Sequence, residues 1–278
     1  MAKPDEKRYF AKLPASTLDL IIKAKEIMQR KSPIVDVLNV FVSNISGIVV
    51  ILSLPDFCAE SETLAGRIGS NDSVAERANE ILDAFTKSDG MLGQGGRALL
   101  FAATTLSWAY YEGLCADLWV TALNCCPDLV HDAARARPQK QESKQQGDPG
   151  KQISIELLKE YKFDVRAHMG TILKSKYTFR KIASTRYAYE AAFGASQVFS
   201  KAFDLPDLKL LEATRHLIVH RGGQVDQKFN VDSGLNLPLG SNIALDADTV
   251  TRYLDATMVS GIILAGFVDG HLKKNTKP

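Results

Sequence analysis

From Arg97 to Cys126 the chain keeps a helical pattern with almost no polar face. The run RALLFAATTLSWAYYEGLCADLWVTAL holds large apolar residues on most sides and three charges, Arg97, Glu112 and Asp117. A helix that is apolar all round cannot stand alone at a surface; other helices must enclose it. A helical bundle is therefore the frame into which the remaining segments have to fit.

Several do. Residues 16–30 form a short amphipathic segment with Leu18, Ile21, Ile22 and Ile27 on one side. Ser32 before Pro33 reads as a helix start, a capping hydroxyl ahead of a ring suited to the first helical position. Ile34, Leu38, Phe41, Ile45, Val49 and Leu52 then recur at threes and fours until Pro55. The β-branched richness of that run leaves a strand open as well. Residues 37–55 carry no charge and approach bilayer length, but two Asn, three Ser and a terminal Pro point to a buried core helix instead. Residues 74–86 repeat the helical pattern through Val74, Ala78, Leu82 and Phe85. The run GMLGQGG at 90–96 reads as a hinge or domain boundary rather than a phosphate loop, because no strand precedes it and the G-x-G-x-x-G spacing is missing. Residues 132–152 are polar and free of large hydrophobes, which predicts a mobile solvated loop. Helices are expected at about 153–176, 185–203 and 207–221. A Gly/Asn/Asp-rich stretch at 222–245 follows, with room for one short hairpin. The last helix starts at Asp246 or Asp248, with Val250, Leu254, Met258, Ile262, Ala265 and Val268 inward. The expected fold is all-α: a bundle over 91–278 and an additional helical region over 1–90.

Thirty-four Lys/Arg against thirty-two Asp/Glu give a formal charge of +2, so no global field draws a polyanion in. Contact with nucleic acid needs a local patch, and residues 151–190 supply one. They hold nine Lys/Arg against four acids, with Tyr161, Phe163, Tyr177, Phe179, Tyr187 and Tyr189 interleaved. Such a mixture serves phosphate contact and base stacking, and equally an amphipathic helix pair with a solvated face. The four cysteines, Cys58, Cys115, Cys125 and Cys126, form no C-x-x-C pair, which fits reduced thiols in a cytoplasmic protein. The N-terminus lacks the apolar core of a secretory signal.

Chemistry concentrates in LEATRHLIVHRGGQVD at 211–226. Arg215, His216 and His220 interrupt an otherwise apolar helix just before Gly222-Gly223, where glycine ends helices. Buried without partners these groups cost several kcal/mol each, about 2–7 for a neutral polar group, so each must meet a partner or a ligand. Histidine titrates near neutrality and can take a 2′-hydroxyl proton or protonate a leaving oxygen. A guanidinium stays protonated and can hold phosphate oxygens in a fork. His220 is the candidate acid/base, Arg215 the phosphate clamp and His216 a second proton donor or positioner. On an ideal helix Arg215 and His220 stand about 140° apart, so one helix alone presents them poorly to one phosphate.

The pattern Arg-polar-x-x-x-His followed by Arg-Gly-Gly-x-Val-Asp resembles the signature helix of HEPN domains, small α-helical bundles that include metal-independent endoribonucleases. The likeness extends over about 97–272. Tyr110, Tyr111 and Glu112 are similar to the centre of the first HEPN helix, and GTILKSKYTFRKIASTRYAYEAAFG at 170–194 looks like the segment before the motif helix. The resemblance implies cleavage of RNA to 2′,3′-cyclic phosphate ends, with no metal or other cofactor. It implies catalysis by Arg215, His216 and His220, substrate contacts from Arg221, Lys174, Lys176 and Arg180, and a role for Glu112. It further implies a homodimer with a composite site, a toxin or phage-defence setting, and an antitoxin or defence-system partner protein. Members paired with nucleotidyltransferase antitoxins carry a tyrosine two residues after the histidine; Gly222 stands there, which argues against that form of control.

Two other readings compete. His216 and His220 have the i, i+4 spacing of a zinc pair, with Asp226 as third ligand. Alternatively the cations simply meet the helix C-terminal dipole, leaving a non-catalytic HEPN-type scaffold that binds a partner protein or nucleotide. His131, His168 and His271 read as surface or capping residues.

Overall fold

The computed structural model describes residues 26–29, 32–50, 52, 91–129 and 155–275. Among them the architecture is all-α, as expected. The elements are α1 (Val35–Val50), α2 (Met91–Cys125), α3 (Ile155–Glu160), α4 (Met169–Lys174), α5 (Ile182–Phe193), α6 (Gln197–Phe203), α7 (Pro206–Arg221), α8 (Gln227–Ser233) and α9 (Ala247–Asn275). Single 3-10 turns lie at Pro127–Leu129 and Arg166–His168. The described residues fall into two compact units. The first holds those up to 41, from 111 to 206 and from 255 onward; the second holds 42–110 and 207–254. Residues 74–86, 132–152 and most of 16–30 lie outside the described part.

In the first unit the part of α2 from Tyr111 onward is fixed by polar handles on aromatic residues. The Trp119 indole donates to Ala188 O at 2.9 Å, and the Tyr189 hydroxyl donates to Cys115 O at 2.9 Å. Tyr111 shares a 2.6 Å hydrogen bond with Ser260 on α9. Buried aromatic residues need such partners to avoid an unmet donor. Tyr189 also packs against Phe193, Phe199 and Phe203, with ring centroids 5.7–6.0 Å apart. Gly261 permits a close approach: a Cβ there would meet Leu114 Cδ2 at 2.6 Å and Phe41 at 3.2 Å. Asn124 of α2 stands in for a cap on α4, its Oδ1 accepting from Gly170 N at 2.8 Å and Thr171 N at 3.3 Å.

In the second unit Ala213, Leu217, Val225, Phe229 and Ile243 form one core, backed by Phe101, Leu237 and Leu245. Each fully buried Leu, Ile, Val or Phe contributes about 1.5–3 kcal/mol. Thr214 and Tyr253 close the inside of α7 with a buried 3.1 Å hydrogen bond.

The helix α9 begins where expected. Asp246 Oδ1 accepts from Thr249 N at 2.7 Å, and all six inward positions are buried. It is the one helix among the described residues long and apolar enough to cross a membrane, and 67% of its apolar window is buried inside the fold. The run after Pro33 is a helix rather than a strand, and its buried stripe passes through Ile34, Leu38, Phe41, Ile45 and Ile48. Val49 is exposed, so the stripe takes its neighbour instead. The Ser32 hydroxyl is buried and makes no hydrogen bond among the described residues, so it does not cap α1.

Four expectations need correction. GMLGQGG is no break: α2 starts at Met91 and runs straight through Gly93, Gly95 and Gly96. Burial of Gly93 and Gly96 outweighs the roughly 1 kcal/mol that each glycine costs a helix. The span 153–176 divides into α3, a turn and α4, because Lys162 (φ 51°) and Phe163 (φ 62°) take left-handed conformations. The span 185–203 divides at Gly194 (φ 76°), after which Ser196 caps α6 by accepting from Val198 N. In 222–245 the hairpin is replaced by α8, with one isolated bridge between Gln224 and Asn242.

Candidate functional site

The motif helix α7 forms for reasons visible in its sequence. Pro206 suits the first helical position, and Asp207 in the first turn favours the positive end of the dipole. Leu208, Leu211, Ala213, Thr214 and Leu217 are buried and tie the helix to its unit. The end is set by two glycines, Gly222 (φ 60°) and Gly223 (φ 86°). Gly223 is constrained in space as well, since a Cβ would meet Phe101 Cζ at 2.6 Å and Ile243 Cγ2 at 3.4 Å.

Beyond Leu217 the helix turns its remaining residues outward. His220 and Arg221 are exposed, Val219 is 49% exposed, and Arg215, His216 and Ile218 are half-buried. The surface of the last turns thus mixes polar and apolar groups. His216 and His220 meet ring to ring, with centroids 4.4 Å apart and planes at 48°. No hydrogen bond or ion pair reaches His220 from the described residues. Arg215 makes none either, and its Nε is buried without an acceptor. Cations at the end of a helix face its negative pole, which suits Arg221 in the last turn.

The proposed third zinc ligand is engaged elsewhere. Asp226 caps α8, with Oδ1 accepting from Phe229 N at 2.8 Å, and its Oδ2 lies 3.8 Å from Arg221 Nε. Among the described residues no three His, Cys, Asp or Glu side chains cluster as a metal site.

The other predicted contacts belong to the first unit. Lys174 pairs with Asp117 at 3.4 Å, Lys176 is half-buried, and Arg180 is exposed with no ion pair among the described residues. Glu112 is half-buried on α2 beside Cys115, whose thiol is pushed up to about 12, chiefly by burial and further by the Glu112 charge. Arg215, His216, His220 and Arg221 are thus gathered on one helix, while Lys174, Lys176 and Arg180 are gathered on the α4–α5 connection. Sequence reasoning missed the acids that neutralise part of that patch. Asp117 is 57 residues from Lys174, and Asp204 is 18 from Arg186, so no local signal announces either pair. His271 is half-buried, its ring 5.2 Å from Phe193 and 4.9 Å from Phe267. His168 lies 4.7 Å from Tyr161, and His131 is outside the described residues. Cys115 and Cys126 are buried free thiols and Cys125 a half-buried one.

The sequence matches no protein-family model, and neither curated proteins nor solved structures give a match.

Proposed function

We propose that the protein is a metal-independent endoribonuclease of HEPN type, cytoplasmic, acting as a toxin or phage-defence effector held in check by a partner protein. One observation carries the reading. The last two turns of a core-anchored helix hold Arg215, whose Nε is buried without an acceptor, beside two imidazoles in contact at 4.4 Å. A phosphate supplies the acceptor that the guanidinium lacks. Internal attack by the 2′-hydroxyl then needs one group to remove its proton and another to protonate the 5′-oxygen, and the His216–His220 pair offers both. Arg221 adds a cation at the same helix end. Since Arg215 and His220 point about 140° apart, one phosphate engages both when a second copy of α7 faces the first across a two-fold axis. Val219 and Ile218 supply apolar area for such a homodimer.

Purified protein incubated with RNA in excess EDTA should release fragments ending in 2′,3′-cyclic phosphate or 3′-phosphate. Arg215→Ala should lower the rate by about 10²–10³ and His220→Ala by about 10²–10⁴. EDTA-sensitive cleavage leaving 3′-hydroxyl ends, or full activity in either variant, refutes the assignment. The scaffold reading draws on a different observation, the Arg221–Asp226 pair at the helix end. It gains if no cleavage occurs while the motif helix still recruits a protein or nucleotide.

A further inference from the structure

Between Asp164 and Glu190 the chain has six Lys/Arg and no acid. Among the described residues Lys174 pairs with Asp117 at 3.4 Å and Arg186 with Asp204 at 2.8 Å. Arg180 and Lys181 are exposed, and neither has an ion-pair partner among the described residues. The backbone that displays them is fixed. Phe179 is buried edge-on to Trp119 at 5.8 Å, and Phe179 O accepts from Thr185 Oγ1 at 3.1 Å. Lys176 N and Tyr177 N close the preceding turn on Leu173 O and Lys174 O, at 2.9 and 3.2 Å.

The same segment carries two half-exposed aromatic rings. Tyr177 and Tyr187 lie 6.1 Å apart with planes at 36°, and Tyr177 is backed by the buried Trp119 at 5.0 Å. Burial pushes the Tyr177 phenol up to about 12, so it brings no negative charge to the surface at neutral pH. Cations held on an ordered backbone around a supported aromatic pair match the two halves of a nucleotide, the phosphate and the base face.

We propose that this surface of the first unit binds single-stranded nucleic acid, with phosphates at Arg180 and Lys181 and bases stacked on Tyr177 and Tyr187. Bases in a duplex are already stacked on each other, so an aromatic platform of this kind selects unpaired strands. The choice of RNA as the polymer rests on the ribonuclease reading; the surface itself does not.

The test uses the full chain and a fluorescent 2′-O-methyl RNA of about 20 nucleotides, long enough to cover a single-strand site. That probe has no 2′-hydroxyl to attack, so binding is read apart from cleavage. The double variant Arg180→Ala/Lys181→Ala should flatten the slope of log K against log salt by about 1.4, at 0.7 per phosphate contact on a single strand. Tyr187→Leu should weaken binding roughly 5- to 150-fold, and Tyr187→Phe, which keeps the ring, should restore it. Duplex RNA of the same length should bind more weakly than the single strand. An unchanged salt slope in the double variant, or equal affinity for duplex, overturns the proposal. So does binding of phosphatidylserine vesicles through Arg180 and Lys181 with no binding of the oligonucleotide. Loss of cleavage in Arg215→Ala with oligonucleotide binding intact concerns the motif helix alone. Loss of binding in the double variant concerns this surface alone.

Discussion

Replacing Arg215 with methionine should abolish RNA cleavage while leaving the fold as stable as before or more so. The magnitude follows from where the side chain lies. Its Nε is buried and unpaired, and a buried donor left unmet costs about 1–3 kcal/mol. Methionine keeps the length of the aliphatic stem, so the packing along it survives. The helix dipole offers little in return, because α7 continues to Arg221 and the charge lies outside the last turn. The half-exposed part of the guanidinium keeps its water, which trims the gain. A net stabilisation near 1 kcal/mol remains, or a rise in Tm of about 2–4 °C for a chain of this size. Thermal unfolding followed by far-UV circular dichroism measures it, and the EDTA cleavage assay runs on the same preparation. A fall in Tm of more than about 4 °C refutes the reasoning. Arg215 would then be a structural residue, and its lost activity would say nothing about catalysis.

Four further outcomes are expected. Gly223→Ala should destabilise by about 2–4 kcal/mol, from backbone strain plus the clash with Phe101, and Gly222→Ala, with open space around it, by about 1–2; equal denaturation midpoints would remove the steric part. Asp246→Ala should cost about 0.5–2 kcal/mol by uncapping α9, and Asp246→Asn should recover most of it, both read by urea unfolding. His271 has its pKa lowered, first by burial and then by Lys274. The unfolded chain therefore takes up the proton first, and stability should fall as pH drops from about 6.5 through the lowered folded value. His271→Asn should flatten that slope, and an unaltered slope would contradict the assignment. Tyr111→Phe should cost roughly 1–3 kcal/mol, because Ser260 Oγ loses its buried partner, and a neutral result in thermal unfolding would show that the pair is dispensable.

What the sequence made legible were features with local causes. Pro206 and the Gly222-Gly223 pair bracket α7 to within a residue, and Asp246 with its apolar repeat marks α9. The burial of α2 between Ala103 and Leu123 follows from its apolar faces, whereas Leu99 near its start stays exposed. What escaped reading depends on neighbours distant in sequence. The glycines at 93, 95 and 96 look like a break, yet burial of Gly93 and Gly96 holds the segment in a helix. The turn after α3 uses Lys162 and Phe163 in left-handed geometry, which no glycine or proline advertises. Asp226 reads as a ligand from its spacing to the histidines, but its place before Phe229 makes it a cap. At the site, the contact of His216 with His220 was legible because an i, i+4 spacing puts two side chains on one helix face. The unsatisfied Nε was not, because only packing decides which atoms lose water.

The chain has two tryptophans, and they divide between the compact units, Trp108 in the second and Trp119 in the first. Both are almost fully buried, at 1% and 0% exposure. Intrinsic fluorescence therefore gives each unit its own reporter. Trp108→Phe leaves Trp119 as the sole emitter, and Trp119→Phe leaves Trp108, so denaturant red-shifts can be followed one unit at a time. Coincident midpoints would mean that the two units melt as one cooperative body, and separated midpoints would rank them. Trp119 lies against Tyr177, so a strand settling on that ring should quench its emission, a signal Trp108 has no reason to share.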